Sequence, residues 1–580
     1  MAATGGGNPW LAAFVLSIGA LAGSLAVLGF VVYQGVTDDG VRSSVAGGEG
    51  ALPAGRALRF AGVLPAGLFG EAFEPIVAGQ QPDITFSVAA GGAGAPARYF
   101  ALVAAFSLGI DALTFDQLRG LLSAAIRNAG DVGGTSGAVQ FWAAGGEDFA
   151  TVLAFAGGTP DKTFESGYAA LLSGMSASGS RAFAFVPLEL VRPSVVAVAI
   201  DGNDLVRGRG DPAAWPFIER LTLTAGSSRG RDALPAIAAR LRPALPPVTR
   251  VVATGDILQS RCTLAKIEAS GDWGSALRGR VGEYLAAADL ALGSLDGSIQ
   301  DISEPYRCIA TTNLSSPPRV IEALTLAGID GVTVATNHVF DCGDGDCGSR
   351  ALLRTIELLG TAGIRTVGGG RMLEEALASA VFEVNGLRIG VLGFDDVAAY
   401  ALEATATAAG TAPLDDSYAD ENASGEPAFF RPASELSLTR FTERIRRLKA
   451  EVDIVIVQVQ TGTEDTHTPS ERSIKALRAA ADAGADLVVG NQAHWVQAVE
   501  ARGSSFIAYA LGNFIFDQLH TPEHTQGFLL EATFAGKKLV TVRLVPYRIV
   551  DQHRPEFVDG ALRAKILGDV LDAAALLPPR

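Results

Sequence analysis

Any His-based metal or acid–base chemistry in this 580-residue chain belongs to its second half. All six histidines fall at or after His338, and all four cysteines lie between Cys262 and Cys347. Several apolar, strand-like runs end abruptly in ligand-type residues. Val251 to Thr254 runs into Gly255-Asp256, and Leu290 to Leu292 into Gly293-Ser294-Leu295-Asp296. Val332 to Ala335 runs into Thr336-Asn337-His338, and Ile454 to Val459 into Gln460-Thr461-Gly462 with Glu464 just beyond. Leu487 to Val489 runs into Gly490-Asn491-Gln492-Ala493-His494. In α/β sheets, ligand sites collect beyond the carboxyl ends of strands. Strand ends bearing Asp, Asn, Gln and His can therefore converge on one crevice. Taken singly, each residue has an ordinary role: Asp256 and Asn337 suit turns or caps, and His494 suits a satisfied buried imidazole.

The elements that must position these residues alternate between strand and helix, which predicts an α/β chain. Ser316 precedes Pro317-Pro318 and the apolar Val320, Ile321 and Leu324, and Gly328 stops that helix. Thr468, Pro469 and Glu471 predict an N-cap, an N1 proline and a capping box, with Gly484 at the end. The pattern runs over 248–558, with 401–432 expected as a surface insertion and 559–580 as a terminal helix. Upstream, 56–242 predicts a separate α/β domain. Its strands are Leu58 to Val63, Ile84 to Val88, Phe100 to Phe106, Val139 to Trp142, Ala182 to Val186 and Val195 to Ile200. Thr114 and Gln117 form a capping-box signature before a helix with the stripe Phe115, Leu118, Leu122 and Ile126. Arg240 to Pro247, with three prolines, is the expected linker.

No charged side chain precedes Asp38, and Leu11 to Val32 is apolar or small throughout. As a helix it would reach roughly 33 Å, enough for a hydrocarbon core of about 30 Å. The expectation is a transmembrane helix over 11–32 within an N-terminal segment 1–36, followed by a flexible tether over 37–55. A cleaved signal peptide is the competing reading. The formal charge of −16 argues against a nucleic-acid partner. Four cysteines permit three pairings; we expect Cys262–Cys308 and Cys342–Cys347, because Gly343-Asp-Gly-Asp346 lets the latter pair approach. Disulfides favour an oxidising compartment, so the bulk of the chain is expected to be extracellular or periplasmic on a single-pass cell-membrane anchor.

Three segments carry a resemblance to a known family: Ala335-Thr-Asn-His-Val-Phe-Asp341, Ala483-Gly-Ala-Asp-Leu-Val-Val-Gly490 and Tyr509-Ala-Leu-Gly-Asn-Phe-Ile-Phe-Asp-Gln518. With Ala493-His494, their order resembles the CapA family of poly-γ-glutamate capsule synthesis proteins. The resemblance implies a calcineurin-type metallophosphoesterase-like αββα sandwich. It carries the family's Gly-Asp onto Gly255-Asp256 and its Asn-x-Glu onto Ser294-Leu295-Asp296. Its Asn-Asn-His falls on Thr336-Asn337-His338, its His-Trp-Gly on Gln460-Thr461-Gly462, and its last histidine motif on Gly490 to His494. Two usual histidine ligands are thus glutamines.

The implied metal set is Asp256, Asp296, Asn337, Gln460, Gln492 and His494, with His338 as the catalytic proton donor. Ser294, Glu464, Asn491, Asn513 and Asp517 would line the pocket. His520 and His524 are read as a surface loop. Neutral amide oxygens favour Mn²⁺ or Mg²⁺ over Zn²⁺, with weak binding. Separately, Ser107 to Gly134, with Thr114-Phe-Asp-Gln-Leu-Arg-Gly-Leu-Leu122, resembles the type II periplasmic substrate-binding fold of phosphate-type transporters.

The family resemblance implies a role in capsule or cell-envelope polymer biosynthesis or export. The implied partners are an anionic polymer or phosphate-containing ligand and other capsule-synthesis membrane proteins. A silent surface binding protein and a metal-dependent phosphatase or phosphodiesterase unrelated to capsule are the competing readings.

Overall fold

The computed structural model describes residues 57–62, 73–90, 95–177, 179–240, 245–301, 308, 311–342, 345–416 and 432–579. The expected span 11–32 and tether 37–55 lie outside the described residues. Among the described residues no helix is long and apolar enough to cross a membrane. The described residues fall into two compact units: those within 1–60, 64–84 and 225–244, and those within 61–63, 85–224 and 245–580.

In the first unit, Leu58 pairs in parallel with Phe73, and Ser228–Arg240 is a helix. The Asp83 carboxylate accepts from the Arg59 N–H at 3.0 Å and from Ser227 Oγ at 2.7 Å.

The front part of the second unit is built on Ala95–Ala104, antiparallel to Ala182–Pro187, which lies parallel to Gln140–Ala144. Phe100, Phe155, Phe185 and Phe217 meet in its core, with the Phe185 and Phe217 ring centroids 4.6 Å apart. Both halves of the Thr114–Gln117 capping box are made. The expected apolar stripe is corrected. The helix ends at Leu122 and buries Leu118 and Leu121, while Phe115 stays exposed. Ala124 turns left-handed (φ 57°), which takes Ile126 off the helix. The strand expected to end at Phe106 stops at Ala104, and Phe106–Leu108 is a 3₁₀ turn.

The remainder of this unit carries two facing sheets. The first contains β1 (Val248–Ile257), β2 (Leu290–Leu295), β3 (Gly331–Thr333) and β4 (Arg365–Val367). The second contains β5 (Ala380–Val384), β6 (Leu387–Asp395), β7 (Ile454–Gln460), β8 (Leu487–Asn491), β9 (Val499–Arg502) and β10 (Ser505–Ala508). The first is completed by β11 (Asn513–Ile515), β12 (Gln526–Ala535), β13 (Lys538–Val550) and β14 (Arg554–Phe557). The orders are β4-β3-β2-β1-β12-β13-β14, with β11 on β1, and β5-β6-β7-β8-β10-β9.

The two-residue period of the strands explains the layering. Val251, Ala253, Leu290, Leu292, Ile454, Ile456, Leu487 and Val489 fill the core shared by both sheets. Their neighbours point outward. Val252 and Ala291 pack under α1 (Arg261–Ser270) and α2 (Ser349–Thr361). Val455, Val457 and Val488 pack under α3 (Thr439–Glu451) and α4 (Glu471–Asp482). Residues buried on both faces read as continuous apolar runs, each side chain contributing roughly 1.5–3 kcal/mol. The terminal helix α5 (Gly560–Ala575) adds Ile566 and Val570 to the shared core.

Two further expectations are corrected. Ser470, not Thr468, caps α4: its Oγ accepts the Ser473 N–H at 3.1 Å, so Glu471 opens the helix and Pro469 precedes the cap. Residues 401–416 are not a surface insertion. Ala404, Ala412 and Leu414 join the outer core of the second sheet. Asp415 and Asp396 hold the buried Arg472 at 2.9 and 2.7 Å. That guanidinium needs carboxylates beside it, and only this segment and the end of β6 supply them. The rest of that expected insertion, 417–431, lies outside the described residues.

The front part is fastened to this sandwich by a buried carboxylate on β12. Glu531 is fully buried and accepts from Arg209 (2.7 Å), Arg250 (3.0 Å) and Tyr284 Oη (2.6 Å). Arg207 Nε lies 3.4 Å from its other oxygen. Thr541 Oγ1 accepts the Ala197 N–H at 3.1 Å, and Val540 packs into the front core.

Candidate metal centre

Strand register brings the ligand-type residues to one edge. Asp256 pairs with Ser294 across β1–β2, and Ser294 with Thr333 across β2–β3. On the facing sheet, Asp395, Gln460 and Asn491 stand level across β6, β7 and β8. Glycine is required beside Asp256, because a Cβ at Gly255 would stand 1.8 Å from the Gly512 carbonyl oxygen. That close approach seats Asn513 opposite Asp256.

Ligand atoms of Asp256, Asp296 and His494, all buried, lie within 4.8 Å of one another. Asp256 accepts from Ser294 Oγ at 3.0 Å and from the Gln492 N–H at 3.3 Å. His494 Nδ1 donates to Asn513 Oδ1 at 2.9 Å and lies 3.6 Å from Asp256 Oδ2. Asn513 is itself oriented, donating through Nδ2 to Gln518 Oε1 and to the His524 carbonyl. Gln492 (φ 94°) and His494 (φ 57°) both adopt the left-handed region, at a cost of order 1–3 kcal/mol each.

Asp296 decides whether a cation fits. It is fully buried, and among the described residues neither carboxylate oxygen has a hydrogen-bond partner. Asn337 Oδ1 and Asn491 Oδ1 are likewise buried without partners. A buried carboxylate without donors is costly. Burial pushes Asp256 up to about 7 and Asp296 up to about 6, and mutual repulsion adds to burial at Asp256. A divalent cation would remove both costs, and this oxygen-rich donor set fits one.

The two glutamines are present but bonded to each other. Gln460 Nε2 donates to Gln492 Oε1 at 2.9 Å, and Gln492 Nε2 donates to Glu464 Oε1 at 3.0 Å. His338 Nδ1 and Asp341 Oδ2 are 2.8 Å apart. Burial lowers the His338 pKa, but Asp341, Asp296 and Glu464 outweigh it, so it sits above its ordinary value. Asp341 is fixed in turn: Oδ2 accepts the Leu314 N–H at 2.7 Å, and its carbonyl accepts from Ser298 Oγ. The disulfide Cys342–Cys347 follows immediately, and Cys262 is bonded to Cys308.

Asp517 departs from its expected place. It pairs with Arg261, and its Oδ2 accepts the Cys262 N–H at 2.9 Å at the start of α1. His524 also differs from the surface-loop expectation: it is buried, with Nε2 2.7 Å from Asp465 Oδ1 and its ring against Trp495. His520 is exposed. Sequence reasoning missed Asp341 and Asp395. Asp341 stood in a quoted motif without a role. Asp395 ends the apolar run of β6 as Asp256 ends β1, and its charge helps raise Asp296.

Residues 250–518 match the family model "Bacterial capsule synthesis protein PGA_cap". Over these residues the chain is similar to the PGA_cap family. The chain is 27% identical over 240 residues to "Capsule biosynthesis protein CapA" of Bacillus anthracis, covering 41% of this chain and 53% of that one. It is 26% identical over 265 residues to "PGA biosynthesis protein CapA" of Bacillus subtilis strain 168, covering 46% and 62%. The matched part thus spans less than two thirds of either relative. A hypothetical protein from Thermus thermophilus aligns over 52% of this chain and all of its own, at 14% identity and a TM-score of 0.31.

Proposed function

We propose that this is a membrane-anchored, CapA-like protein of capsule or cell-envelope polymer biogenesis, of the poly-γ-glutamate type, with a hydrolytic site facing the outside. The anchor is residues 11–32, and two disulfides favour an oxidising compartment. The observation that carries the site is Asp296, a fully buried carboxylate with two unpartnered oxygens beside Asp256 and His494. These three residues and Asn337 would hold one divalent cation, Mn²⁺ or Mg²⁺ rather than Zn²⁺, with Gln460 assisting. When bound, the ion supplies a Lewis acid for a phosphoester-type substrate. Asp341 holds the proton on His338 Nδ1, so His338 exchanges a proton with the leaving oxygen through Nε2. Ser294 and Asn513 orient Asp256 and His494.

Calorimetry with Mn²⁺ on the full chain, alongside phosphodiester hydrolysis, tests this. Wild type should bind, Asp256→Ala should not, and His338→Ala should bind but not hydrolyse. Equal Mn²⁺ binding by wild type and Asp256→Ala would sink the reading. The mutual hydrogen bond of Gln460 and Gln492 favours one second reading, a silent binding protein for an anionic polymer. Mn²⁺ binding without hydrolysis of any phosphoester would support it.

A further inference from the structure

We infer that Glu464, at the exposed rim of this site, is the positioning residue that turns the Gln460 carbonyl oxygen toward the cation. The inference rests on the cation reading above and adds to it the means by which two amides serve where imidazoles would otherwise stand.

Hydrogen-bond direction fixes which end of each amide faces its neighbour. A carboxylate only accepts, whereas a side-chain amide donates from one end and accepts at the other. Glu464 Oε1 lies 3.0 Å from the Gln492 amide, so the end facing it must be Nε2. The other end of Gln492 is then Oε1, which must meet a donor. It meets Gln460 Nε2 at 2.9 Å. With its nitrogen committed to Gln492, Gln460 must point its oxygen the other way. Gln460 Oε1 lies 3.5 Å from Ser294 Oγ, the same hydroxyl that donates to Asp256 Oδ1 at 3.0 Å.

The acceptor-only group at the rim thus fixes two amide orientations in series, and the last one presents oxygen on the Asp256 side. Gln460 and Gln492 are buried, so neither can turn over in isolation without leaving a donor or acceptor unmatched. Replacing Glu464 by an amide removes the directional constraint: Gln492 could then offer either end, and Gln460 could turn nitrogen toward the ion. An N–H donor facing a cation repels it.

A plain charge effect makes a different prediction, since a carboxylate near the ion helps by attraction whatever Gln460 does. The test separates them with a double-mutant cycle on the full chain, read by Mn²⁺ calorimetry. Glu464→Gln should weaken Mn²⁺ binding about fivefold in the wild-type background, the loss of roughly one oriented polar contact. In the Gln460→Leu background it should change affinity less than about twofold, because the residue it acts through is gone. Equal losses in both backgrounds would overturn the relay and leave the cation site standing. Absence of Mn²⁺ binding by wild type would overturn both. The Gln492 side-chain amide resonances give a readout without metal: they should shift in Glu464→Gln while near-UV circular dichroism stays unchanged. Unshifted resonances would count against the relay.

Discussion

Glu531 and Asp296 are both fully buried carboxylates in the same compact unit, and their surroundings are opposite. Burial raises the Glu531 pKa, but Arg207, Arg209, Tyr284 and Arg250 outweigh it and hold the group below its ordinary range. Burial also raises Asp296; His338 opposes this, but Asp341, Glu464 and Asp395 reinforce it. Around Glu531 stand three arginines and a tyrosine hydroxyl, with the hydrogen bonds all on Oε2 and Arg207 Nε 3.4 Å from Oε1. Around Asp296 the described residues supply no hydrogen-bond donor. A buried charge ringed by counter-charges holds two parts of a fold together. One left without partners marks a place for something the chain does not encode.

This contrast can be broken at either end. Glu531→Ala should destabilise the full chain by ~3–5 kcal/mol in urea unfolding, because Arg207, Arg209 and Arg250 lose the carboxylate they share and the buried Arg207 keeps only Asp204. The metal-free protein should lose several kcal/mol, at most about 7, between pH 4 and pH 8. The unfolded chain releases the Asp256 and Asp296 protons near 3.8, whereas the folded chain keeps them to about 7 and about 6. The unfolded state therefore binds fewer protons across that window, and stability falls as pH rises. Saturating Mn²⁺ should abolish the fall; an unchanged slope would deny a cation at these carboxylates. Asp296→Asn should raise metal-free stability at pH 8 by ~1–2 kcal/mol while removing Mn²⁺ binding, the reverse of the Glu531 result. Tyr284→Phe, which removes one of several donors to Glu531, should cost only ~1 kcal/mol. Its thermal midpoint measured beside that of Glu531→Ala would grade how far the remaining donors on Oε2 compensate.

Much of the sandwich could be read from residue order, because strands buried on both faces leave unbroken apolar runs that stop where the site begins. Both cysteine pairings and the Thr114–Gln117 box were legible for a similar reason: they are set by neighbours close in sequence or by elimination. What escaped depends on contacts that no spacing encodes. Whether Asp341 or another carboxylate would reach His338 is decided by how Leu314 and Ser298 pin its loop. Asp517 looked like a pocket residue until Arg261, far away in sequence, claimed it. Thr468 and Ser470 are equally good caps by type, and only the chain's approach to α4 chooses between them. Polar 401–416 reads as surface because the buried Arg472 that draws Asp415 inward lies on a different helix.

The clasp at Glu531 also bears on descent. Removing the front segment would strip Arg207 and Arg209 from a carboxylate at the centre of β12, and would bare Val540. Deletion alone would be penalised at once, and the same deletion after a substitution at 531 would be penalised less. Two changes in a set order undo the clasp at less cost than deletion alone. The attachment works as a ratchet, and lineages carrying it should keep both parts long after either has lost its original use.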